Sequence, residues 1–408
     1  MIELRRTLAL LLAATSPLLS PLAAEAQQPV RPLPAPDAIF DEPFTLVAAG
    51  NVRELRDGRL IVADARDKVV RLLDFRTGRA TSIGREGSGP AEFGLPMRLF
   101  AAPGDSSFIF DPLNQRYLVL APDGKPATTF RMETPTAGGM RDRMRMGLSI
   151  ARATDARGRL YYESPASGVG PDGRSQPADS AAVLRHDRVA KKSDTLAWVK
   201  LAKGNTQVTG GGNNMSVRIG MANPLEPRDE WTVFPDGRVA IVRASDYHVD
   251  WVMPNGATQS AAAIRFTPLR VTEADKKEEE AVRARAMQGA VMISMANGPG
   301  GMQRSASVGR PAAGPPPEPL TDWPEVKPPF RSGSSSVWAR PNGELWVRRT
   351  EAAGAKGTLY DVIDARGAVT HSVRVPEGLS LVGFGNGTLY TTKLDEDDLQ
   401  YVQRHRIN

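Results

Sequence analysis

The chain has 408 residues, with 52 Lys or Arg against 46 Asp or Glu, a formal charge of +6, four His and no Cys. The missing cysteine excludes disulfides, Cys–zinc sites, iron–sulfur clusters, thiol nucleophiles and a lipoprotein anchor. The basic residues are interleaved with acids, as in Arg53-Glu54 and Arg66-Asp67, so the patch or stripe of a nucleic-acid binder is absent. The histidines (His186, His248, His371, His405) form no His-x-x-x-His pair, and at 41% apolar residues the chain can build a core.

Residues 1–26 read as a secretory signal peptide: Arg5 and Arg6, an apolar stretch from Leu8 to Leu22, then Ala24-Glu25-Ala26 as a small-x-small cleavage site. The stretch carries Pro17 and Pro21 and is short for a membrane span, and no later segment is apolar enough to cross a bilayer. The mature chain is therefore expected in the periplasm or secreted. Residues 27–39 form a Pro-rich lead-in expected to stay extended.

From residue 40 onward a turn recurs. Asp57-Gly58, Gly104-Asp105, Arg157-Gly158, Asp236-Gly237, Asn342-Gly343 and Asn386-Gly387 each precede a β-prone run such as Leu60-Ile61-Val62 or Leu345-Trp346-Val347. Gly, Asn and Asp tolerate the positive φ of tight hairpins. A second set of turns, at Thr77-Gly78, Asp123-Gly124, Asn255-Gly256 and Arg366-Gly367, follows a third strand and precedes a more polar fourth one. Four antiparallel strands per unit are a propeller blade. The fold class expected is all-β: a six-bladed β-propeller over residues 40–408. Gly58 to Gly104 spans 46 residues and Gly343 to Gly387 spans 44; the longer intervals between are one blade plus an insertion. The sixth unit has three strands before the chain ends, so Pro43 to Ala48 is expected to supply its fourth and close the ring, abolishing the sheet edges.

With strands labelled A to D from the axis outward, the A–B and C–D turns share one face, and the B–C loops and D–A crossovers share the other. The elaborations fall on the second face: Gly84 to Gly94, Glu133 to Gly147, Ser164 to Ser180, Ala202 to Asp229 with its Gly210–Asn214 cluster, and residues 268–334 between blades four and five. In the last of these, Thr272 and Asp275 form a helix cap. A helix is expected from residue 273 through Val282, Ala286, Ala290 and Ile293, ended by Asn297-Gly298-Pro299-Gly300-Gly301 and followed by a Pro-rich linker to Pro319. It is either a lid or a helix packed on the disc with its charged half in water. A site is expected on this decorated face, with Arg85 and Glu86 in the first crossover, Asp111 and Arg116 around the second B–C turn, and Asp395, Asp397 and Asp398 in the last as binding residues. The run Asp395–Asp398 is either a solvated acidic loop or a Ca²⁺ site; it lacks the spacing of an EF-hand.

The stretch from Val62 through Asp64 to Asp74 resembles an NHL-type propeller repeat: an apolar strand, an Asp, a polar loop and a second apolar strand. Gly84 to Phe93 is similar to a crossover of uncharacterised exported six-bladed propellers of bacteria, with Ala91 where glycine is usual, and Asp395 to Gln400 looks like their closing segment. The resemblance implies the fold and transfers no catalytic residue. No P-loop, Gly-x-Ser-x-Gly elbow or dinucleotide fingerprint is present. Apart from Glu54 and Glu230 the inner strands lack acidic groups. The expected function is thus a non-enzymatic binding or scaffold propeller recognising a protein, peptide, glycan or small molecule; the alternative is a metal-dependent hydrolase of the lactonase type.

Overall fold

The structure is a computed structural model and describes residues 29–131, 150–165, 168–169, 175–176, 179–202, 206–209, 216–219, 223–289, 291–298, 301–308, 320, 322–333 and 335–407. The signal peptide, the crossover Glu133 to Gly147, the Gly210–Asn214 cluster and the linker Pro311 to Pro319 lie outside them. Five sheets of four successive antiparallel strands, and a sixth of three successive strands joined by an N-terminal one, make the blades. Blade one is Val52–Glu54, Leu60–Asp64, Val69–Asp74 and Arg79–Ser82; blade two is Met97–Ala101, Ser107–Asp111, Arg116–Leu120 and Pro126–Phe130. Blade three is Ala153–Thr154, Leu160–Pro165, Ser180–Asp187 and Lys192–Lys200; blade four is Glu230–Val233, Val239–Arg243, His248–Val252 and Thr258–Ser260. Blade five is Val337–Ala339, Leu345–Arg348, Thr358–Ile363 and Val369–Val375; blade six contributes Leu379–Phe384, Thr388–Leu394 and Gln400–Arg406.

These blades form a ring because their first strands touch in series, from blade six to one and on to five. Trp338 of blade five meets Phe384 of blade six edge to face at 5.8 Å. Each gap between blades holds its own apolar cluster, so a B strand is packed on both faces: all five residues of Leu60–Asp64 and of Ser107–Asp111 are buried. That explains why B strands read as continuous apolar runs while the outer strand Arg79–Ser82 is polar and exposed. All six A–B turn glycines sit at positive φ, between 70° and 94°.

The ring closes through the N-terminal segment; its strand lies earlier in the chain than residues 43–48, which add Phe44 and Val47 as contacts to Gln400. Ala38–Ile39 pairs antiparallel with Gln400–Arg406, Phe40 N–H donates to Val402 O (2.9 Å), and Phe44 bridges Gln400. The lead-in also pairs: Val30–Pro32 lies parallel to Val369–Val375 as a fifth strand of blade five. The seam is pinned by His405, buried between Pro34 O (Nδ1, 2.7 Å) and Thr391 Oγ1 (Nε2, 2.9 Å). The carbonyl can only accept, so Nδ1 carries the proton and Nε2 accepts from the hydroxyl. Burial holds this ring below its ordinary value and hence neutral.

Between blades four and five the helix spans Glu273–Gly289. It does not run on to Ile293: Val291–Gly298 instead pairs with Gly301–Val308 as a hairpin. Val291, Ile293 and the glycines suit a hairpin better than a helix interior. The half of the helix expected in water is the docked half. Asp275 accepts from Lys327 and from Ala353 N–H (3.0 Å), Glu279 forks with Arg331, and Gly354 N–H donates to Glu278 (3.0 Å). Asp275 and Glu279 are buried, while Val282 is 53% exposed. Charge, not an apolar stripe, fixes this helix, because each buried carboxylate meets a cation, Lys327 or Arg331, from the segment leading into blade five. No helix of the described residues is long and apolar enough to cross a membrane.

Candidate functional site

The central channel opens into a cavity of about 510 Å³ lined by the inner strands, including Arg53, Glu54, Arg98, Arg152, Trp338 and Phe384. On the A–B turn side Arg53 pairs with Asp105 at 2.7 Å. Glu54 is turned sideways into blade six, where it accepts from Tyr390 O–H (2.5 Å), Thr388 O–H and Asn386 N–H (3.2 Å). Gly385 leaves room for that carboxylate: a Cβ there would stand 2.1 Å from Glu54 Oε2.

At the decorated mouth the arrangement is built on Arg152, immediately before the first strand of blade three. Its Nη1 donates to Glu163 Oε2 (2.6 Å) and its Nη2 to Glu230 Oε2 (2.7 Å). Arg228 reaches both carboxylates at 3.2 Å, Trp231 Nε1–H donates to Glu163 (3.0 Å), and Gly333 N–H donates to Glu230 (3.0 Å). The Trp231 ring lies under the Arg152 guanidinium at 4.9 Å. Burial alone would raise the Glu163 carboxyl, but Arg152 and Arg228 outweigh it and hold it below its ordinary value. Burial likewise opposes the Arg152 charge, and Glu230 and Glu163 outweigh that, leaving it firmly protonated. Two of the five guanidinium N–H donors of Arg152 are spent on the glutamates, which leaves donors for a molecule in the cavity.

The residues expected from sequence stand elsewhere on the decorated face. Asp111, fully buried, accepts from Gly94 N–H (3.0 Å), Leu95 N–H (3.1 Å) and Asn114, and Arg116 Nη2 donates to Gly89 O and Glu92 O, both 2.7 Å. Arg85 pairs with Glu92 at 2.7 Å, and Glu86 with Lys68. The structure therefore gathers Asp111 and Arg116 around the first crossover, as parts that hold its shape. Asp64 does the same one blade earlier, accepting from Thr45, Leu46, Arg66 and Asp67 N–H. Asp395 accepts from Asp397 and Leu399 N–H within its own turn, and Asp398 sits at φ 59°. Among the described residues no hydrogen bond or ion pair joins the Asp395–Asp398 turn to the Arg85–Arg116 group. Among the described residues no group of three or more His, Asp or Glu stands where it could hold a metal ion. Sequence reading missed Arg98, Arg152 and Glu163. The only local signal is an Arg flanked by apolar residues at the head of an inner strand, as in Met97-Arg98-Leu99 and Ala151-Arg152-Ala153.

No protein-family model matches the chain. No curated protein matches it either. Among solved structures it is similar to a protein of Bacteroides fragilis whose name presents it as exported (11% identity over 93% of this chain and 98% of that one, TM-score 0.43). It is similar to a gluconolactonase of Xanthomonas campestris (10%, 93% and 96%, TM-score 0.38) and to a calcium-binding regucalcin of Agrobacterium tumefaciens (13%, 94% and 98%, TM-score 0.37). The expectation of a non-enzymatic binder or scaffold is corrected. Its stated reason, a channel short of acidic groups, fails where Glu163 and Glu230 converge on Arg152.

Proposed function

We propose that the chain is an exported hydrolase of the lactonase type, acting on small esters or lactones at the arginine mouth of its channel, within the exported six-bladed propellers with NHL-like repeats. The observation that carries this is Arg152: a half-buried guanidinium clamped by two carboxylates, with donors left over, lining a cavity of small-molecule size. Water adds to the substrate carbonyl carbon and the carbonyl oxygen takes the negative charge beside Arg152. The C–O bond to the leaving oxygen then breaks, and that oxygen receives the proton from the water, giving a hydroxy acid. A fixed cation placed where charge develops lowers the barrier without reorganising. Glu163 and Glu230 act as positioning residues, held ionised and engaged.

A lactonase of this fold brings a divalent metal to mind, and these residues do not fit one. The two carboxylates at the mouth are each contacted by Arg152 and Arg228, whose charges repel a cation. No step runs through a metal. The test is a lactone and ester panel with the full chain, with and without chelator. Turnover should survive chelation and rise with pH between about 6 and 9, because no unengaged carboxylate serves as base. Arg152→Lys should lower kcat by about 100-fold, as loss of one oxyanion donor does. No turnover across the panel, or turnover proportional to added metal, overturns the reading.

A further inference from the structure

Arg98 is a third cation at this mouth. It lies at a β-bulge: Ile109 pairs with Leu99 and Phe110 with Met97, so Arg98 is the extra residue of the inner strand of blade two. Its φ is 45°, a left-handed conformation costly for any residue but glycine. Asn51 of blade one maintains it, accepting Arg98 N–H at 3.0 Å while donating to Ala63 O at 3.2 Å. Bulges re-aim side chains. The inner strand of blade six is bulged too, and there the extra residue is Val382, so the bulge itself demands no arginine. Among the described residues no carboxylate pairs with the Arg98 guanidinium. Its charged neighbour is Arg152, which repels it, and the phenol beside it, Tyr117, is kept neutral by burial. A desolvated cation without a counter-charge is costly unless something supplies one.

We propose that Arg98 anchors the anionic group of the molecule that enters the channel, a small organic carboxylate whose apolar body packs on Trp338 and Phe384. Those two rings line the same cavity. The inference rests on the channel being the working site and needs no catalytic step, so it is read by binding alone. Isothermal titration of the full chain with phenylacetate, and separately with inorganic phosphate, tests it in the wild type, Arg98→Gln and Arg98→Lys. Phenylacetate should bind saturably and more tightly than phosphate. Arg98→Gln should weaken it at least tenfold while the ligand-free melting temperature stays level or rises, and Arg98→Lys should recover part of the affinity. Three results would each overturn the anchor: no saturable heat with phenylacetate, equal affinity in wild type and Arg98→Gln, or phosphate binding as tightly as phenylacetate. Absence of ester turnover leaves this titration untouched, and turnover of neutral esters without phenylacetate binding overturns the anchor alone.

Discussion

Arg152 and Arg98 face the same channel mouth from adjacent blades. Arg152 has two glutamates, an indole beneath it and a second arginine sharing its partners. Arg98 stands on a strained bulge with no carboxylate among the described residues. The difference separates two uses of partly buried charge. A guanidinium with its counter-charges in place is a rigid part whose removal breaks its surroundings. One without a counter-charge costs the free protein stability and is useful only when a ligand supplies it.

The largest expected effect lies on the charge-paired side. Glu230 is 1% exposed and accepts from Arg152 and Gly333 N–H, besides pairing with Arg228. Glu230→Ala leaves buried donors and a guanidinium under-compensated, and should cost about 3–5 kcal/mol in urea unfolding. A loss below about 1 kcal/mol would mean that Arg152 is no more committed than Arg98, and the contrast would fall. Asn51→Ala comes next. It orphans the Arg98 amide and the Ala63 carbonyl, so about 2 kcal/mol should be lost. Released from its bulge, Arg98 should also bind phenylacetate more weakly although its guanidinium is intact. Unchanged affinity in that variant would show that the bulge does not aim the side chain.

The blade count was legible because it is local: an Asx-Gly or Gly-Asp turn demands its backbone within two residues. The ring closure was legible in kind, but its place was not, since Ala38–Ile39 is too short to show an alternating pattern and its partner lies more than 360 residues away. The helix from residue 273 was legible from its Thr272–Asp275 cap, confirmed by Thr272 N–H donating to Asp275 at 2.8 Å. Its docking face was hidden, because Asp275 and Glu279 find Lys327 and Arg331 each 52 positions on. The mouth was hidden for the same reason: Arg98, Arg152, Glu163 and Glu230 come from three blades, and only closure brings them together. Aspartates such as Asp64 and Asp111 were conspicuous in sequence because they end B strands, and that position is where a crossover needs its amides capped.

The smallest effect concerns pH, and its sign follows from the carboxylate. Glu163 is held below the ordinary carboxylate value despite its burial, chiefly by Arg152 and Arg228. A group whose folded value is depressed contributes stability that is fully present above its unfolded value and is lost as pH falls through the folded one. Between pH 7 and about 5 the Arg152 cluster should therefore add no slope to the stability curve, and Glu163→Gln should cost the same at both ends. His405 acts in the opposite part of the scale. Its folded value lies below 6.5, so its neutral form favours the fold, and the seam should weaken as pH falls below 6.5 toward that value. Amide exchange at Phe40 and Leu33, whose N–H groups donate across the seam to Val402 O and Arg374 O, reads this directly. Exchange there should quicken from pH 7 to 5, after correction for the intrinsic rate, and His405→Gln should flatten the change. Equal slopes in wild type and His405→Gln would move the acid sensitivity away from His405.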